Sequence, residues 1–130
     1  MEIKMKTKLK IGTLDIPSDY KSFIYLLAEK FSENDNIEKI YLFGSCAAGK
    51  VTDKSDVDFA IIVNDKIPAD RNFRLNIINK IEDLLMEQKS VTNIPYDVVF
   101  FNYMDFERNK KVSMSVVNDI QREGKVLYER

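Results

Sequence analysis

The chain begins on an alternation in which Ile3, Met5, Leu9 and Ile11 are set against Lys4, Lys6, Lys8 and Lys10. A period of two suits an edge strand with a lysine face, and a loose basic arm carries the same pattern. Beyond the turn at Pro17 the spacing changes. Tyr20, Phe23, Ile24, Leu27, Ala28 and Phe31 recur at helical intervals and stop at the polar run 32–36, which predicts an amphipathic helix. Residues 37–43, closed by Gly44, read as a strand, and residues 57–63 as a second one, apolar on both faces and therefore buried.

Pro68 is placed to open another helix, in which Phe73, Ile77, Ile78, Ile81, Leu84 and Leu85 form one stripe before the loop at 93–95. Residues 96–101 supply a third strand. Val112, Val116, Val117 and Ile120 outline a last helix, with Gly124 suited to the left-handed position past its end, and residues 126–128 add a short strand. Strands alternating with helices call for a sheet covered by helices, but only 13 residues separate Phe43 from Val57, too few for a full helical crossover. The expectation is an α+β (α/β) fold with a mixed sheet flanked by helices.

Composition narrows the chemistry. A length of 130 residues is that of one domain, residues 1–130, with no room for a second one that binds a large acceptor. The formal charge of -1 provides no field to gather nucleic acid or an anionic membrane, so neither is expected as a partner. The single Cys46 cannot form an intrachain disulfide and reads as an inert packing residue; with no membrane-spanning run or leader in the sequence, a cytoplasmic location is expected. The apolar stripes leave open whether they bury only the core or a homodimer surface as well. The absence of histidine removes the imidazole base and most nitrogen- or sulfur-ligated metal sites. Carboxylates and hard cations such as magnesium remain.

One segment brings three such demands together: Tyr41-Leu-Phe-Gly-Ser-Cys-Ala-Ala-Gly-Lys-Val-Thr-Asp-Lys-Ser-Asp-Val-Asp-Phe-Ala. Gly44 keeps no side chain between a ligand and the backbone, and a helical turn begun at Ser45 would offer a hydroxyl and amides to phosphate. Asp56 and Asp58, two residues apart in extended chain, leave the same face with α-carbons roughly 6.6 Å apart. Aspartate is depleted from strands, so Asp97 at the head of the third strand asks for a reason, and adjacency of the two strands would supply it. Like unit charges about 4 Å apart repel by about 4 kcal/mol at an effective dielectric of 20, so three gathered carboxylates need a proton or a cation. Two magnesium ions would remove that penalty and clamp a phosphoryl displacement.

Gly44-Ser45, ten intervening residues, Asp56-Val57-Asp58 and the later Asp97 resemble the DNA polymerase beta-like nucleotidyltransferase superfamily, and above all its minimal, MntA-like members. The resemblance runs through the core motif region 37–101 and takes in the closing Ile120-Gln-Arg-Glu-Gly-Lys-Val-Leu-Tyr. It implies a nucleotidyltransferase fold, metal binding by Asp56 and Asp58, and completion of the metal site or activation of the acceptor hydroxyl by Asp97. The Gly44-Ser45 turn is implied to grip the triphosphate of ATP or another nucleoside triphosphate. It also implies an antitoxin that moves AMP onto a HEPN-type toxin. The family commonly places Arg or Lys before the second glycine, where this chain has Ala48; Lys50 is the replacement at hand, and Arg71 and Arg74 follow on the next helix.

Competing readings have specific weaknesses. Gly44 to Lys50 satisfies the glycine and lysine positions of a P-loop, but Val51 stands where Ser or Thr must hold magnesium, and the chain turns into a strand with no phosphate-binding helix. An EF-hand starting at Asp56 fails at Ala60 and Ile61. Taken alone, residues 55–58 could be a polar turn into a strand, and Asp97 could cap one. A non-catalytic nucleotidyltransferase-like module that only binds a partner is the remaining alternative.

Overall fold

Two largely apolar seven-residue segments bounded by turns become the two central strands of the sheet, β1 (Ile37–Phe43) and β2 (Val57–Val63). The computed structural model describes residues 14–88 and 94–130. The lysine alternation at residues 3–11 and most of the loop before the third strand lie outside those residues. Helix α1 (Ser18–Ser32) precedes β1, a single turn α2 (Ser45–Ala48) follows it, and α3 (Arg71–Glu87) follows β2. Then come β3 (Tyr96–Asn102), α4 (Tyr103–Asn109), α5 (Val116–Glu123) and β4 (Lys125–Glu129).

The strand order is β3-β2-β1-β4. β1 runs antiparallel to both β2 and β4, while β2 and β3 are parallel, so the sheet is mixed as the short link after Phe43 requires. Alternation along β2 sorts its residues. Val57, Phe59, Ile61 and Val63 join Phe23, Ile24, Leu27 and Phe31 of α1 and Ile77 and Ile81 of α3 in one core cluster. Ala60 and Ile62 meet Phe106 of α4 and Val117 and Ile120 of α5 on the opposite face, and Tyr41 ties that layer down by donating its hydroxyl to Gln121 Oε1 at 3.1 Å. Each large side chain buried this way contributes roughly 1.5–3 kcal/mol.

Three expectations are corrected. The third helix starts at Arg71, not Pro68, because Asp70 caps it by accepting from the Phe73 amide at 3.0 Å, while residues 64–69 form a loop of their own. The last helix starts at Val116 behind a Ser115 cap; Val112 lies outside it, and the separate short helix α4 was not legible in the pattern. Gly124 is not left-handed: its φ is -74°, and glycine is needed there for space, since a Cβ would crowd the carbonyl oxygens of Ile120 and, at 3.2 Å, Leu42.

The loop after β2 depends on one amide. Asn102 donates to the carbonyls of Asn64 at 3.0 Å and Ile67 at 2.9 Å, and its Oδ1 accepts from the Ala69 amide at 2.9 Å. Removing that side chain leaves three main-chain groups without partners. Asn102→Ala is expected to destabilise the chain by about 2–4 kcal/mol in denaturant unfolding, with the core otherwise intact.

Candidate functional site

The sheet positions the acids. Asp58 is the second residue of β2 and its side chain belongs to the face that carries Ala60 and Ile62; Asp97 is the second residue of β3, on the face shared with Val99 and Phe101. Parallel pairing puts Asp58 directly opposite Asp97, and antiparallel pairing puts Phe43 on the other side of Asp58. Neighbouring strands are about 4.8 Å apart, so the two carboxylates stand side by side at one end of the sheet. Asp56 continues the same alternation one step ahead of the strand and is exposed.

The electrostatics follow from that placement. Burial holds the Asp58 carboxyl above its ordinary range, and the charges of Asp97 and Asp56 push it further the same way. Among the described residues, no group of three or more acidic or thiol side chains is drawn together closely enough to hold an ion as it stands. The acids are therefore neighbours in register rather than a closed ligand set. Their all-oxygen donor chemistry fits a hard divalent cation such as magnesium, which would offset the charges of Asp97 and Asp56 that act on Asp58.

Next to the acids lies the glycine turn. Gly44 has φ 77° and ψ -155°, and a Cβ built there would run into the Asp58 carboxylate. The backbone of the turn therefore approaches the acid as only glycine allows. Ser45 starts the single turn α2, with the Ala48 amide donating to the Gly44 carbonyl at 3.2 Å. Lys50 is exposed just beyond it, its amide donating to the Ser45 carbonyl at 3.0 Å. Arg71 and Arg74 are not brought here. Helix α3 begins beside Asn102, which clamps Ala69, and Asn102 lies five residue steps along β3 from Asp97, roughly 16 Å of strand.

The segment leading to Asp56 is held by side chains that the sequence did not single out for this purpose. Tyr20 of α1, read as the first residue of an apolar stripe, donates its hydroxyl to the carbonyls of Ser55 at 2.8 Å and Thr52 at 3.2 Å. Buried Cys46 donates its thiol to the Asp56 carbonyl at 3.5 Å, and the Val57 amide donates to the Pro95 carbonyl at 3.0 Å. Burial, then Asp58 and Asp56, raise the Cys46 thiol to about 11, so it stays protonated and inert.

Two clefts among the described residues lie away from the acids. One cleft of about 280 Å³ lies between α1 and α3 against Phe31, Ile77 and Ile81, and another of about 340 Å³ is lined by Tyr41, Tyr103 and Phe106; neither contains any of the three acids. Among the described residues, no helix is long and apolar enough to cross a membrane.

Comparison with known proteins places the family and the fold. The family model for polymerase beta nucleotidyltransferases matches residues 26–130. A chain of Methanocaldococcus jannaschii assigned as a protein adenylyltransferase is 34% identical over 110 residues, which cover 83% of this chain and 93% of the relative. A crystal structure from Sulfolobus solfataricus assigned as a nucleotidyltransferase superposes with a TM-score of 0.51 at 19% identity, covering 88% of this chain and 89% of the other, a likeness of fold alone. A toxin–antitoxin complex with AMP-PNP reaches a TM-score of 0.49 at 24% identity, covering 82% of this chain and 70% of that one, too remote for more than mention.

Proposed function

The chain belongs to the polymerase beta nucleotidyltransferase family and is a nucleotidyltransferase, and on that premise we propose that it moves AMP from ATP onto a hydroxyl of a protein acceptor. The observation that carries the site assignment is the direct pairing of Asp58 with Asp97, at the end of the sheet where Gly44 closes on the Asp58 carboxylate. Asp56, Asp58 and Asp97 are the acids that would hold two magnesium ions. Those ions, when bound, supply positive charge to the triphosphate and to the pyrophosphate that departs.

The residues of the chain do the rest. Gly44 lets the triphosphate approach the main chain, with the Ser45 hydroxyl and Lys50 ammonium as its contacts. The acceptor oxygen attacks the α-phosphorus, the bond from that phosphorus to the bridging oxygen breaks, and pyrophosphate leaves with the bonding electrons. Asp97, exposed at the strand head, accepts the proton of the acceptor hydroxyl.

A protein acceptor is supported by the assigned activity of the relative at 34% identity and by the exposure of Asp56 and Asp97. We assign this acceptor to a HEPN-type toxin on the resemblance to minimal, MntA-like members, which makes the chain its antitoxin. The test is transfer of label to a co-purified partner. With magnesium, ATP labelled at the α-phosphate should label the partner, ATP labelled at the γ-phosphate should not, and a chelator should abolish the signal. Labelling from the γ-position would overturn nucleotidyl transfer, and tight partner binding without incorporation from any nucleotide would favour a non-catalytic module.

A further inference from the structure

Asp58 and Asp97 are fixed by the ladder that joins β2 to β3, whereas Asp56 stands ahead of β2 and its side chain is exposed. The peptide after Asp56 is held by the Cys46 thiol and by the Val57 amide on the Pro95 carbonyl, so the direction of its carboxylate is completed by whatever holds the preceding peptide. That peptide shares its plane with the Ser55 carbonyl, because the Ser55 carbonyl and the Asp56 amide belong to one rigid unit. The Tyr20 hydroxyl donates to this carbonyl at 2.8 Å and also reaches the Thr52 carbonyl at 3.2 Å. The turn between them is closed by the Ser55 amide on the Thr52 carbonyl at 3.1 Å and by the Thr52 amide on Ser55 Oγ at 2.8 Å.

Tyr20 is suited to this task by its position. It lies in the first turn of α1, on the face of the sheet opposite the acids, with its ring in the main core and only 6% of its surface exposed. Its polar tip is thus anchored by a buried ring, while the turn at 52–55 is largely exposed and has no strand pairing of its own. A rigid aromatic side chain that ends in one hydroxyl transfers the order of the core to an otherwise exposed loop.

We infer that Tyr20 is a positioning residue, which aims Asp56 at the ion-binding site by fixing the Ser55–Asp56 peptide from the far side of the sheet. The inference rests on the reading of Asp56, Asp58 and Asp97 as divalent-ion ligands. It assigns Tyr20 no contact with nucleotide or acceptor. Its loss therefore weakens metal binding and is overcome by more metal.

Tyr20→Phe keeps the ring and removes the hydroxyl, and Ser55→Ala loosens the same turn from its other side. Both are titrated with magnesium and manganese, without nucleotide, by calorimetry and by the metal-induced rise in melting temperature, beside the wild type. Each variant is expected to melt within a few degrees of the wild type without metal and to need about tenfold more metal for half-saturation. AMP transfer should recover towards the wild-type rate at saturating metal, with the KM for ATP unchanged. Half-saturation equal to the wild type in both variants overturns the role of Tyr20 and leaves the site standing. No metal response in the wild type itself overturns the ligand assignment and this inference with it.

Discussion

Asp58→Asn should lower AMP transfer on the order of 10³-fold and, in the absence of metal, raise the melting temperature of the chain. The opposite directions come from a single cause. Asp58 is the most enclosed of the three acids, with Asp97 directly opposite it and Asp56 beside it, and burial followed by those two charges holds its carboxyl above the ordinary range. A folded-state pKa raised above the unfolded one means that the folded chain binds the proton more readily. Its ionised form therefore costs stability at neutral pH, and that cost disappears as pH falls through the folded pKa towards the ordinary value. Asparagine removes the charge with little change of shape, so the gap in melting temperature between variant and wild type should be widest at neutral pH and close in acid. Magnesium should raise the melting temperature of the wild type and have a blunted effect on Asp58→Asn. Equal magnesium shifts in the two proteins, or a metal-free variant that melts lower at neutral pH, would remove Asp58 from the site.

The parts of this site that could be read in advance are those written locally. Asp56 and Asp58 share a face because extended chain alternates, and Gly44-Ser45 follows a strand because the largely apolar segment Ile37–Phe43 ends there. The partnership of Asp58 with Asp97 is a matter of register between strands distant in sequence, and nothing near either residue specifies it. Adjacency could be argued only from the oddity of an aspartate in an apolar strand. The same limit applies to Arg71 and Arg74: a helical stripe tells which side of α3 faces the core but not at which end of the sheet the helix begins. The clamp by Asn102 settles that end.

Glycines and aromatic residues misled or stayed silent for a related reason. A glycine after a helix can serve conformation or space, and at Gly124 it serves space, with the Ile120 and Leu42 carbonyls where a side chain would be. Tyr20 keeps the period of an apolar stripe whether or not its hydroxyl has work, so periodicity counts its ring and is blind to the oxygen that reaches Ser55. The fold was legible to the extent that burial patterns define elements; the site was legible only where chemistry and local spacing coincide.

Gly44→Ala is the second variant expected to have a large effect, and it tests the closeness of the turn to the acid rather than the acid itself. At φ 77° and ψ -155° the backbone occupies a region essentially reserved for glycine, so alanine costs roughly 1–3 kcal/mol through conformation alone. The added methyl would also run into the Asp58 carboxylate, and either the turn or the acid must give way. Displacing either separates the phosphate contacts proposed for Gly44 and Ser45 from the acids, so transfer should fall on the order of 10²-fold even where the variant is folded. Gly49→Ala separates the two contributions. Gly49 is left-handed at φ 71°, but a Cβ there would meet only the Asp15 carbonyl at an ordinary 3.7 Å. Alanine at position 49 should cost about 1 kcal/mol of stability and leave magnesium binding and transfer close to the wild type. If the two variants lose transfer in equal measure, or if Gly44→Ala retains it, contact between the glycine turn and Asp58 is not what shapes the site.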